Sequence, residues 1–320
     1  MKALLPLMTG VLVLTGVAWA GPIQQNQIAG DARWVAHLDV DRLLQTQLGG
    51  HIGREFLDKQ LANHLAKLKK DMNVELDWRK IHSVTAYGWS FKGKEIAEGV
   101  LLLQSDIDVP ATLDTITTKL ESAGAGAQIP IQKIEEREGT IYEVKGQVYG
   151  AAAKNGMFIL ARTREHLLKA LKVASGGAES LAGSKLIGSL GDDRDAFLLL
   201  GVAEGFSELA NLPKEAQAFQ QQAAGGRLTA GEKEKNVFLT VSLDTRTAEA
   251  ATQIQQMLQG LIALGNMNGD QNADLQQLAK AARVEGKDKQ VTLALQMPVQ
   301  DVISKMDEAH GGKKHGKKQE

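Results

Sequence analysis

Residues 227–244 read RLTAGEKEKNVFLTVSLD. The stretch is a strand pattern, RLTAGE, then a charged link, KEKN, then a second strand pattern, VFLTVSLD. Two strand patterns joined by so short a link form an antiparallel hairpin. The same grammar occurs once before. SVTAYG at Ser83–Gly88 leads to the charged link KGKE at Lys92–Glu95 and then to GVLLLQSD at Gly99–Asp106. A helical pattern follows both times, VPATLDTITTKLES from Val109 and TAEAATQIQQMLQGLIAL from Thr247.

The correspondence extends outward. An apolar run precedes each hairpin, WVAHLD at Trp34–Asp39 and AFLLLGV at Ala196–Val202, and each leads into a helical pattern. After the second helix, IYEVKGQVYGAAAK and MFILARTREHLLKAL match ARVEGKDKQVTLALQMPVQDVISKM, with Lys145-Gly146 set against the Gly286–Asp288 turn. Matched elements in one order are the mark of internal duplication. The expected fold is α+β. It consists of two similar lobes with antiparallel sheets and helices packed on one face, since sequence-adjacent hairpins build antiparallel sheets. A long first helix is predicted from Leu44, Leu48, Ile52, Phe56, Leu61, Leu65, Leu68 and Met72, whose spacing draws one apolar stripe. The expected organisation is a segment 1–20, a short link 21–30, repeats over 31–175 and 195–309, a polar linker 176–194, and a disordered tail 310–320.

The first twenty residues, MKALLPLMTGVLVLTGVAWA, have a positive start, an apolar middle and Ala18-Trp19-Ala20 at the end. That is the pattern of a secretory signal peptide, so the expectation is export to the periplasm or beyond, with no transmembrane segment after cleavage. Cleavage removes Lys2 and moves the formal charge from −1 to −2, which gives no electrostatic case for specific nucleic-acid binding. The chain has no cysteine, which excludes disulfides and thiolate metal sites.

Motifs with chemical meaning are few. GWSFKGKE at Gly88–Glu95 has the glycine spacing of a phosphate loop. Glu95 stands where a magnesium-binding hydroxyl belongs, however, and a strand pattern follows instead of a helix. GNMNGDQNAD at Gly265–Asp274 lacks the glycine and glutamate that a calcium loop starting at Asp270 requires. The seven histidines form no H-E-x-x-H, and His64 falls near the apolar stripe, as a partly buried residue would. No cofactor is expected, and the chain reads as more plausibly non-enzymatic than enzymatic. The one polar constellation is His37, Asp39 and Asp41. His37 and Asp39 share a strand face, and the D-x-D reads first as the N-cap of the following helix and second as a polar site. In the second copy these carboxylates align with Gly201 and Ala203. The tail HGGKKHGKKQE offers Lys313, Lys314, Lys317 and Lys318 as an arm for an anionic surface.

Trp34, Val35, His37, Asp39, Asp41 and Leu43, in the pattern WV-x-H-x-D-x-D-x-L behind a signal peptide, resemble a loose group of uncharacterised exported two-repeat bacterial proteins of planctomycete type. The resemblance implies export and no assigned activity. The functional expectation is an exported binding or structural module for a protein, polymer or apolar ligand. The alternatives are a carrier of a hydrophobic molecule, or a hydrolase with a dispersed site.

Overall fold

The structure is a computed structural model and describes residues 23–90, 99–122, 131–136, 139–153, 156–182, 195–203, 221–267 and 273–315, with side chains to residue 309. The signal-like segment 1–20, the KGKE link, Lys317 and Lys318, most of the 176–194 linker and half of GNMNGDQNAD lie outside these residues.

The chain begins with a short 3-10 turn, Gln25–Gln27, and strand β1, Trp34–Asp39. Three helices follow: α1 (Val40–Gln45), α2 (Gln47–Ile52) and α3 (Asp58–Met72). Next come β2 (Ile81–Gly88), β3 (Val100–Ser105) and α4 (Val109–Ser122). A four-strand meander comprises β4 (Ile131–Glu136), β5 (Gly139–Val144), β6 (Val148–Ala152) and β7 (Met157–Ala161), and α5 (Arg164–Ala174) closes the first half. The second half has β8 (Ala196–Ala203), β9 (Ala223–Lys233), β10 (Asn236–Thr245), α6 (Ala248–Met267) and α7 (Ala273–Ala281). It ends with β11 (Ala282–Lys287), β12 (Gln290–Pro298) and α8 (Val299–His315).

The fold is α+β, and its strands form one antiparallel sheet in the order β11-β12-β10-β9-β8-β1-β2-β3-β7-β6-β5-β4. Outward from the centre one half runs β1, β2, β3, β7, β6 and the other β8, β9, β10, β12, β11. The halves meet edge to edge where β1 pairs antiparallel with β8, from Trp34 opposite Val202 to Leu38 opposite Leu198. Beyond β6 the first half carries an added hairpin, β5 and β4.

The halves are therefore not separate lobes with separate sheets. They also share a core, in which Leu38, Leu43, Leu48 and Trp78 pack with Phe197, Ala230 and Val299. Glu232 of β9 adds a polar tie, accepting from the backbone N–H groups of Gln47 at 3.2 Å and Leu48 at 3.0 Å, at the start of α2.

Several sequence expectations need correction. First, the helices are not all on one face. On β3, Leu102 joins the core of Leu167 and Leu171 from α5, while Leu103 packs with Leu113, Ile116 and Leu120 from α4. Successive strand residues point to opposite faces, so α4 and α5 lie on opposite sides of the sheet. Helix α5 can sit there because β7, MFILA, is apolar on both faces, with Ile159 in one core and Phe158 in the other.

Second, the Lys145-Gly146 turn joins β5 to β6 and is not the partner of the Asp288 turn. By sheet order that partner is the β6–β7 connection. Both Lys145 and Gly146 have positive φ, in a three-residue connection, Lys145–Gln147, whose Gln147 N–H donates to Val144 O at 3.0 Å.

Third, the predicted long helix is broken. Thr46 ends α1 and caps α2, its hydroxyl accepting from Gly49 N–H at 2.9 Å, and a π turn over Gly53–Leu57 leads into α3. His64, expected near the core, is exposed. At the other end, α8 runs to His315 and so reaches into the 310–320 segment.

Candidate functional site

The end of β1 carries the site. Val35, His37 and Asp39 point to the α5 face of the sheet, where pairing places Thr85 opposite His37 and Ser83 opposite Asp39. Gln104 of β3 stands opposite Ser83, and Met157 of β7 opposite Gln104. Helix α1 leaves this strand end and brings Asp41, Arg42 and Gln45 over it. The N-terminal turn supplies Gln24 and Gln27. Together with His82 and Leu102 these residues line a cleft of about 360 Å³.

Asp39 is the N-cap. Its carboxylate accepts from Arg42 N–H at 2.7 Å and lies 3.5 Å from the Arg42 guanidinium. The Arg42 guanidinium in turn donates to Ala196 O at 3.0 Å, across to the first residue of β8. Asp39 is 5 % exposed. Burial pushes its carboxyl above the ordinary 3.8, against the opposing pull of the Arg42 N–H and guanidinium. Burial thus works against the charged form of this aspartate.

Asp41 is not a cap. It lies in the first turn of α1 and accepts from His82, whose Nδ1 is 2.9 Å from Asp41 Oδ2. The other ring nitrogen of His82 is 3.0 Å from Asp106 Oδ2. The bond to Asp106 is the largest cause raising the His82 pKa above 6.5. Partial burial opposes it and Asp41 reinforces it. With both nitrogens facing carboxylates, the imidazole bridges Asp41 and Asp106, and neither ring nitrogen is open to a metal. Among the described residues no group of three or more His, Asp or Glu side chains is placed to hold a metal ion.

His37 is buried, with Nδ1 2.6 Å from the Thr85 hydroxyl. The structure thus gathers His37, Asp39, Asp41 and His82 in one cleft. Sequence reading missed Arg42, Thr85, Gln104 and Asp106. Only Asp106 left a trace, as the acidic residue closing the β3 pattern, and the β2–β3 register is needed to bring it to His82.

The site is a polar cleft on the α5 face of an antiparallel α+β sheet. No protein-family model matches the chain, and no curated protein matches its sequence. Among solved structures the chain is similar to TP0453. Crystal form I matches with a TM-score of 0.48 at 11 % identity, covering 90 % of this chain and 98 % of that one. Crystal form IV matches with a TM-score of 0.47 at 11 % identity, covering 89 % and 97 %.

Proposed function

We propose that this chain is an exported, non-enzymatic binding protein that holds a small polar ligand in the cleft at the end of β1. The observation that carries the reading is the convergence of His37, Asp39, Asp41 and His82 in a cleft of about 360 Å³. That volume falls in the ordinary range for small-molecule sites. The lining supports a ligand rich in hydroxyl or amine donors, because Asp39, Asp41 and four glutamine side chains offer acceptors, against Arg42 and His82 as the basic groups. It favours such a ligand over a hydrophobic cargo, since Leu102 and Met157 are the large apolar residues present. Export rests on the signal-like segment 1–20. Among the described residues no helix is long and apolar enough to cross a membrane.

The test is a thermal-shift and calorimetric screen of polyols, sugars and amines against the purified protein, with native mass spectrometry of material taken from its host. Binding that is lost in Asp41→Asn and His82→Gln, both folded, supports the reading. A bare protein that responds to none of these classes overturns it.

A hydrolase is the second reading. The Thr85–His37 contact at 2.6 Å favours it, because a hydroxyl against an imidazole is the start of an activated nucleophile. It ranks second because Thr85 is only 6 % exposed and His37 only 2 %. Turnover of chromogenic esters that vanishes in both Thr85→Val and His37→Gln would reverse the order. The lysines at 313, 314, 317 and 318 retain their proposed role as a contact to anionic surfaces. Deletion of residues 310–320 should abolish any salt-sensitive binding to polyanions.

A further inference from the structure

The second half of α6 stands away from the sheet. Met257, Leu261, Leu264 and Met267 are 40 %, 57 %, 55 % and 78 % exposed, and Leu275 and Leu278 of the neighbouring α7 are 45 % and 44 % exposed. The two helices touch at Gly265, where an added Cβ would lie 2.9 Å from Ala279 and 3.6 Å from Leu275. That contact brings the α7 leucines beside the α6 stripe. The face reaches several hundred Å² of apolar surface, in the range of roughly 300–600 Å² reached by the largest patch on an ordinary monomer. It approaches the roughly 800 Å² per partner of a standard interface.

We infer that a second copy of this chain covers this face, through an antiparallel pairing of α6 about a two-fold axis at Leu261. The spacing is suited to it. Met257 and Leu264 lie one helical turn to either side of Leu261, so a two-fold there sets Met257 against the partner's Leu264 and Leu261 against itself. Gly260 lies beside the axis, and a Cβ there would meet nothing within 4 Å, so the helix backbone is open to close approach.

Charge selects the occupant. From Ala250 to Met267 there is no Asp, Glu, Lys or Arg. The α6 part of the face, without charge, meets its own image without repulsion, whereas helices that lie on membranes carry lysine or arginine along the polar side. The other surfaces for self-association are poor. Edge strand β4 carries Lys133, Glu135 and Glu136, and edge strand β11 carries Arg283, Glu285 and Lys287, the charges that block edge pairing.

The absence of cysteine gives a clean test. Leu261→Cys should form a disulfide-linked dimer on mild oxidation. Glu249→Cys should not, because residues twelve positions from the axis stand about 36 Å apart across it. In sedimentation velocity the unmodified protein should dimerise at micromolar concentration. The double variant Leu261→Lys, Leu264→Lys should dissociate at least a hundredfold more readily with an unchanged circular dichroism spectrum, both sites being exposed. A protein that stays monomeric throughout, or cross-links equally at 249 and 261, overturns the pairing. So does a monomer that binds lipid vesicles through the same leucines. The inference does not depend on the cleft, and Asp41→Asn should leave the dimer intact.

Discussion

Nε2 of His82 stands 3.0 Å from a carboxylate oxygen of Asp106, while its Nδ1 faces Asp41. One imidazole thereby ties the end of β3 to the first turn of α1. Because the pKa is raised in the folded protein, the stabilisation is fully present below the ordinary value of 6.5. It is lost as pH rises through the raised folded value. The His82 ring protons should titrate above 6.5 by NMR. Melting temperature should fall through the same interval above 6.5, and His82→Gln should remove that dependence.

Asp39 gives the converse case of a cap whose charge is unfavourable. Asp39→Ala should lower stability by about 1 kcal/mol through loss of the bond from Arg42 N–H. Asp39→Asn keeps a capping oxygen and has no proton to lose. The raised carboxyl pKa means that stability is lost as pH climbs through the folded value, so Asp39→Asn should be at least as stable as the parent at pH 7. Chemical denaturation of both variants checks the pair. An Asn variant as unstable as the Ala variant would show that the charge contributes to folding.

Glu232 reaches from the second half to the N-terminus of α2 in the first. Glu232→Ala should cost about 1 kcal/mol. With the core of Leu38, Trp78, Phe197 and Val299 shared between the halves, unfolding should be one transition. The variant should move that whole transition down by about 2 °C, as measured by calorimetry. Two separated transitions, only one of them shifted, would contradict a shared core.

Gly49→Ala sets two effects against each other. Alanine gains about 1 kcal/mol over glycine inside a helix. A methyl at position 49, however, runs into the backbone carbonyl of Leu43, which cannot rotate aside. Overpacking of this kind costs about 1–3 kcal/mol and more when backbone must shift. The substitution should be destabilising by urea denaturation, and a stabilised variant would mean that α1 and α2 separate easily.

The parts of the fold that show in the sequence are those with a local signal. The RLTAGE–VFLTVSLD hairpin is β9–β10, its turn made by Glu234 and Lys235 at positive φ. The helical patterns from Val109 and Thr247 are α4 and α6. The parts that do not show depend on pairing between distant segments. Nothing local in WVAHLD says that it will lie against AFLLLGV, which is why one sheet could not be told from two. In MFILA no polar residue marks a solvent side, so its two buried faces, and with them the position of α5, are invisible. For the site, the D-x-D marked the place and the helix start. It did not show that Asp39 and Asp41 divide the work, one as a cap and the other as an acceptor for His82. Leu261 falls on the apolar stripe of the helical pattern from Thr247 and is exposed, because periodicity identifies an apolar face without saying what covers it.

The joint between β1 and β8 has a consequence in time. Trp34 pairs with Val202, so the centre of the sheet closes over more than one hundred and sixty residues of chain. Hairpins such as β9–β10 close over a few residues and can form as soon as they are made. The central seam carries the largest loop-closure entropy and belongs late in folding. During synthesis at about 5–20 residues per second, β1 waits many seconds with its β8 side unpaired. The hydrogen-bonding edge most protected in the finished molecule is the one longest exposed in the growing chain, and there a chaperone would have the most to do.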